Sequence, residues 1–174
     1  VGNPGSKHLD YADAQLKQIP QPFLDAAHEP SGARALVYFL VLAGDESIRG
    51  QQLRLLHDSA DIGVFDELHT LLRCGQQVTA EQRLPLVTIA LSSLRQLSRK
   101  QYQLFKSNFK TLIEIDRKIS LLEWALQKIV MHHLEAVFNK DEAPHFGRRK
   151  LKNCGSSIAV LLSILTHSTA QEGI

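Results

Sequence analysis

The chain has 174 residues, 44% of them hydrophobic and 6% aromatic, and 20 basic side chains nearly balance 18 acidic ones for a formal charge of +2. A chain of this length can bury roughly 70% of the surface its unfolded form exposes, which suits one ordinary folded domain, and its balanced charge gives no general pull toward nucleic acid or acidic membranes. Its longest apolar runs, 35–43 and 158–165, fall far short of the ~20 residues of a membrane-spanning helix, and two cysteines far apart, Cys74 and Cys154, argue against a disulfide framework and fit a reducing compartment.

The start, VGNPGSKHLDYA, has neither an initiator Met nor a signal-peptide pattern and reads as the interior of a longer or processed protein. Ser6 can cap a helix over 7–19, with Leu9, Ala12 and Leu16 on one face. Pro20 and Pro22 punctuate, and a short turn of helix follows through Ala27. Pro30 suits the first position of the next helix, where its missing N–H costs nothing. That helix is apolar on most sides and should run centrally to about Ala43. Gly44 can end it in the left-handed conformation, and Asp45 can cap its successor, whose apolar contacts come from Ile48, Leu53, Leu55 and Leu56.

Val64, Phe65, Leu68, Leu71 and Leu72 then repeat at helical spacing, with Gly75 as the stop. TAEQ at Thr79, SRKQ at Ser98 and SLLE at Ser120 all match a capping box, which predicts helices near 80–97, 99–115 and 120–138. Pro85 falls in the second turn of the first of these and predicts a kink rather than a break. Within the hairpin Thr111–Val130, Phe109 just before it and Trp124 are expected in or near the core. The segment 139–155 is polar, with Pro144, Gly147 and Gly155, and a last apolar helix runs from Ser156 to about Thr166. No stretch alternates with the period of a strand. The expected fold is all-α, a single array of seven to nine helices: a main domain over 1–138, a polar linker over 139–155, and a terminal helix and tail over 156–174.

Candidate chemistry is sparse. Eight histidines invite zinc, yet the spacing H-E-x-x-H is absent. His28-Glu29 is followed by Pro30, and the adjacent His132 and His133 point about 100° apart on a helix. His133 shares the apolar face and reads as a half-buried, hydrogen-bonded histidine; His132 falls on the polar side. Cys74 sits at a helix C-terminus, a poor setting for a nucleophile. The cluster Arg148-Arg149-Lys150-Leu151-Lys152 lacks a stacking aromatic and reads as a solvated linker. Asp116 and Glu123, with Glu114, can bring carboxylates to one helix N-terminus, a geometry that suits a hard cation. The capping box accounts for Glu123 without a metal, and solvation of the turn accounts for Asp116.

His28, Glu29 and Arg34 mark a helix entrance where charged residues adjoin an apolar central helix. Glu29 and Arg34 can pair there, and Gly32 and Ala33 admit a close helix neighbour. A groove at this place is the expected docking site for an amphipathic protein segment. The apolar terminal helix must be covered by the domain itself, by missing sequence, or by a second copy in a homodimer.

Four segments carry a resemblance: GNP-x3-HLDYA (Gly2–Ala12), AAHEPSGARALVYFLVL (Ala26–Leu42), RLPLVTIALSSLRQLSRKQY (Arg83–Tyr102) and IDRKISLLEWAL (Ile115–Leu126). In this order they resemble the C-terminal region of bacterial HtpX-like membrane-bound zinc metallopeptidases, from the first residues to about Phe138. In that family the transmembrane helices and the zinc site lie in the N-terminal part. The resemblance therefore implies zinc in the parent protease, and no cofactor and no catalytic residue in this chain. It implies a non-catalytic accessory module on the cytoplasmic side that binds substrate, a protein partner or its own protease domain; the balanced charge and the basic cluster without a stacking aromatic separately predict no nucleic-acid partner. A looser resemblance is to the TerB-like helical fold, whose acidic turn corresponds to Ile115–Ile119 followed by Glu123. The usual Gly of that turn is Arg117 here. This second resemblance implies a free-standing, cation-responsive stress-response module.

Overall fold

The computed structural model of the chain describes residues 18–61, 63–115, 120–139 and 154–171. The helix expected over 7–19, the Asp116 turn and the basic cluster 148–152 therefore lie largely or wholly outside the described residues. Among the described residues there are eight helices and no strand, as an all-α array requires. The chain divides into two compact units, Val1–Lys140 and Asp141–Ile174.

The first unit is organised around one buried helix. Helix α1 (Gln21–His28) leads through a tight turn into α2 (Pro30–Leu40), with Pro30 in the first turn. Every residue of α2 from Gly32 to Tyr38 is buried, and so is Leu40. A helix apolar on all sides can be stable only when other elements surround it. Here α1, α4 (Val64–Arg73), α5 (Ala80–Leu94) and α6 (Arg99–Glu114) all pack on α2. Helix α3 (Glu46–Ser59) lies against α6, and α7 (Leu121–Phe138) closes over α5 and α6. Phe23, Leu36, Leu68, Leu86 and Phe109 are wholly buried in the shared core. Tilted and stacked rings extend through it, from Tyr38 to Phe105 at 5.5 Å and from Phe105 to Phe109 at 5.6 Å between centroids.

Local chemistry sets the helix starts. Ser98 Oγ accepts from the Gln101 N–H at 3.2 Å, and Gln101 Oε1 accepts from the Ser98 N–H at 3.0 Å. Ser120 and Glu123 repeat the arrangement at 3.2 and 2.8 Å, and Gln82 Oε1 accepts from the Thr79 N–H at 3.1 Å. Each pair satisfies N–H groups that the first helical turn leaves without an intrahelical acceptor. Asp45 caps α3 by accepting from the Ile48 N–H at 3.0 Å. Pro85 lies inside α5 without ending it.

Three expectations need correction. The central helix stops at Leu40, three residues before Ala43, and Gly44 is not left-handed; the left-handed glycines among the described residues are Gly63 and Gly75. Side chains do the work assigned to Gly44. Arg83 donates to the Leu40 carbonyl, Arg49 to those of Ala43 and Gly44, and Gln52 Oε1 accepts from the Ala43 N–H at 2.8 Å. Trp124 is 41% exposed, because the buried stripe of α7 is Leu126, Val130 and Leu134 and Trp124 falls on the other side. Its ring lies 5.9 Å from Lys128 Nζ, a cation–π distance. In the second unit, α8 spans Gly155–Gln171, longer than the expected 156–166.

Candidate functional site

The entrance of α2 is built from a turn that leaves little room. Glu29 bridges α1 and α2: its N–H donates to Ala26 O at 3.3 Å and its carbonyl accepts from the Ala33 N–H at 2.7 Å. His28 and Glu29 are exposed at this corner. Arg34, one turn further, is not. Its guanidinium points inward, pairs with the Asp61 carboxylate, and donates through Nε to Pro30 O at 3.2 Å. The expected pairing of Arg34 with Glu29 is therefore replaced by an internal one. Arg34 cannot act as a surface contact, since its side chain is 6% exposed and Asp61 is 31% exposed. The physical reason is burial: a cation on a helix surrounded by core needs an inner carboxylate.

This pair opens a polar network through the core. Tyr38, one turn beyond Arg34, is hydrogen-bonded to Asn108 of α6, and Asn108 Nδ2 donates to Ser59 O at 3.3 Å. Nearby, Gln52 Nε2 donates to Leu112 O at 3.0 Å and to Val41 O at 3.3 Å. Ser93 Oγ donates to Ala27 O at 2.8 Å. Asn108, Gln52 and Ser93 each tie their own helix to backbone elsewhere in the core, a structural role. The sequence held one signal for this network: a lone Arg inside ARALVYFLVLA must find a carboxylate elsewhere.

Burial pushes the Tyr38 hydroxyl far above its ordinary pKa of 10.0, against the weaker downward pull of its bond with Asn108. Burial also raises Tyr102, and the hydrogen bond to Glu135 raises Lys106. In all three the folded protein holds a proton that the unfolded chain gives up at lower pH. The contribution of these three groups to stability is therefore intact below about pH 10 and falls as pH rises beyond it. Tyr38 alone can contribute a slope of up to about 1.4 kcal/mol per pH unit. Urea unfolding measured across this range should show a plateau and then a decline that Tyr38→Phe makes shallower. Equal slopes in the two proteins would contradict the burial of this hydroxyl.

The other candidates are placed as follows. Glu123 closes the capping box of α7, with Oε2 also accepting from Ser120 Oγ at 2.7 Å; Asp116 lies outside the described residues. Among the described residues no three His, Cys, Asp or Glu side chains converge as a metal site. His133 is half-buried with Nδ1 2.8 Å from Ile129 O, and His132 is exposed. Cys74 caps α4, with Sγ donating to Leu71 O at 3.0 Å. His57 and His69 flank Phe65 edge-on, at 5.2 and 4.8 Å between centroids. No helix among the described residues is long and apolar enough to cross a membrane. Compared with protein-family models, with curated proteins and with solved structures, the chain matches none.

Proposed function

We propose that this chain is a non-catalytic interaction module of a membrane-bound zinc metallopeptidase of the HtpX-like kind, working on the cytoplasmic side and docking on its own protease or on a protein partner. The resemblance of the four sequence segments supports the parent. The surface of α8 supports the interaction role. Ile158, Val160, Leu161, Leu162 and Ile164 are 36–58% exposed there. At 100° per residue these five positions cover about 200° of the helix, with Ala159, Ser163 and Thr166 on the remaining arc. An exposed apolar arc this wide marks an association surface. It is broader than the single stripe that one partner helix covers, so a seat between two helices suits α8. In unit 1 the buried polar and charged groups serve the fold, which fits a module that binds rather than reacts.

The test is association of the full chain. Light scattering should show self-association or uptake of detergent micelles, both abolished by Leu161→Asp with Ile164→Asp, while the thermal melt of the first unit stays unchanged. A strictly monomeric chain that takes up no detergent, with or without the two changes, would overturn the docking role. Casein cleavage that rises with added zinc would overturn the non-catalytic one. The TerB-like reading predicts instead a saturable calcium or magnesium response that Asp116→Ala and Glu123→Ala remove.

A further inference from the structure

A cleft of about 290 Å³ opens where α2 ends, bounded by α3, the end of α4 and the segment leading into α5. Arg49 and Arg83 line it together with Leu42, Leu72, Val78 and Gln77, and no Asp or Glu is among its lining residues. Both guanidiniums are held from behind by backbone. Arg83 Nη1 donates to Leu40 O at 3.1 Å; Arg49 donates through Nε to Ala43 O at 2.8 Å and through Nη2 to Gly44 O at 3.3 Å. A guanidinium carries five N–H donors in a fixed fork, so most of the donors remain for a ligand. Arg83 Nε is buried with no hydrogen-bond partner and out of a ligand's reach, so a ligand must use the remaining Nη donors and Arg49. Capping the end of α2 explains why the two arginines are fixed. It does not explain the lack of a balancing carboxylate in the cleft.

We infer that this cleft captures the free carboxylate end of a peptide chain whose last residue is apolar. Charge complementarity sets the anion, because a guanidinium fork matches a carboxylate bidentately and the cleft has two guanidiniums with no carboxylate of its own. The apolar wall sets what the anion is attached to: inorganic phosphate would leave Leu42, Leu72 and Val78 uncovered. Size sets the extent. The volume is at the small end for ligand cavities, enough for one terminal residue and too little for a nucleotide. Capture of a chain terminus is an established mode of peptide recognition. The inference names a partner chemistry for the interaction role proposed above. It rests on the first unit alone, so it and the α8 association can fail separately.

The experiment uses the full chain and a fluorescein-labelled hexapeptide ending in leucine, as the free acid and as the C-terminal amide. The acid should bind saturably, and the amide roughly tenfold more weakly or worse, since it lacks the charge that the arginines recognise. Arg49→Gln and Arg83→Gln should each weaken the acid about tenfold and leave the amide unchanged. Because Arg83 also holds Leu40 O, Val78→Asp serves as a second variant: it sets a carboxylate in the wall of the cleft without touching either backbone anchor, and should weaken the acid as much. Equal binding of acid and amide, no saturable binding below about 1 mM, or no effect of Val78→Asp would overturn the assignment. Displacement of the peptide by octanoate at matching affinity would make this a site for free amphipathic acids and would overturn it equally.

Discussion

Asp61→Ala should destabilise the protein by about 4 kcal/mol, more than any change at Glu29, and should cost more than Arg34→Met. Removing one member of a buried ion pair typically costs about 3–5 kcal/mol, because the surviving charge is left without compensation. The two members are not equally placed: the Arg34 side chain is 6% exposed and that of Asp61 31%. Asp61→Ala strands a cation in the core. Arg34→Met leaves a carboxylate that can turn toward water, and its methionine still fills part of the space. Urea denaturation of the three variants decides the order. Asp61→Ala within 1 kcal/mol of wild type, or Glu29→Ala more costly than Asp61→Ala, would mean that Arg34 pairs at the surface after all. The same geometry rules out Arg34→Glu as a probe of partner docking. It would set two carboxylates together inside the protein, and any loss of association would report unfolding.

What the sequence made legible follows the range of the interactions involved. The caps at Asp45, Ser98 and Ser120 need only residues three positions apart, and the hydrogen bonds form as the spacing dictates. The centrality of α2 was equally readable, since apolar residues on all its faces leave no side for water. The inner partner of Arg34 was not readable, because Asp61 is 27 residues away and reaches it only through the length and direction of α3. Gln52 is similar: it links α3 to the Leu112 carbonyl 60 residues away, and a glutamine on an amphipathic helix looks like a surface residue until the packing is known. Trp124 shows a different failure. Its size suggested burial, but helical phase decided the matter, and the phase of α7 is set by Leu126, Val130 and Leu134. The end of α2 combined both problems. A glycine at the end of a helical run is a strong local signal, yet Arg49 and Arg83 took the free carbonyls and made a left-handed Gly44 unnecessary. The two-arginine cleft exists because of that substitution of side chains for a glycine cap, which explains why no motif announced it.

Gly32→Ala should lower stability by about 1–2 kcal/mol, although alanine is the better helix former. A methyl at Gly32 would lie 2.5 Å from Ala26 O and 2.8 Å from Ala26 Cα. These are backbone atoms, so no side-chain rotation relieves the clash, and α1 must move away from α2. That movement is resisted on two sides: Phe23 of α1 is wholly buried, and the Ala27 carbonyl is held by Ser93 of α5 at 2.8 Å. Overpacking of this kind costs about 1–3 kcal/mol or more, while exchanging Gly for Ala inside a helix returns only about 1 kcal/mol. The steric cost therefore wins. Gly50, inside α3, supplies the internal control, since a Cβ there meets nothing within 4 Å. Gly50→Ala should raise stability by about 0.5–1 kcal/mol through helix propensity and reduced freedom of the unfolded chain. For a protein of this size the pair should separate by roughly 3–12 °C in thermal denaturation, with opposite signs relative to wild type. If both variants melt above wild type, α1 and α2 do not approach at Gly32, and the tight corner that places His28 and Glu29 at the surface and Arg34 inside loses its basis.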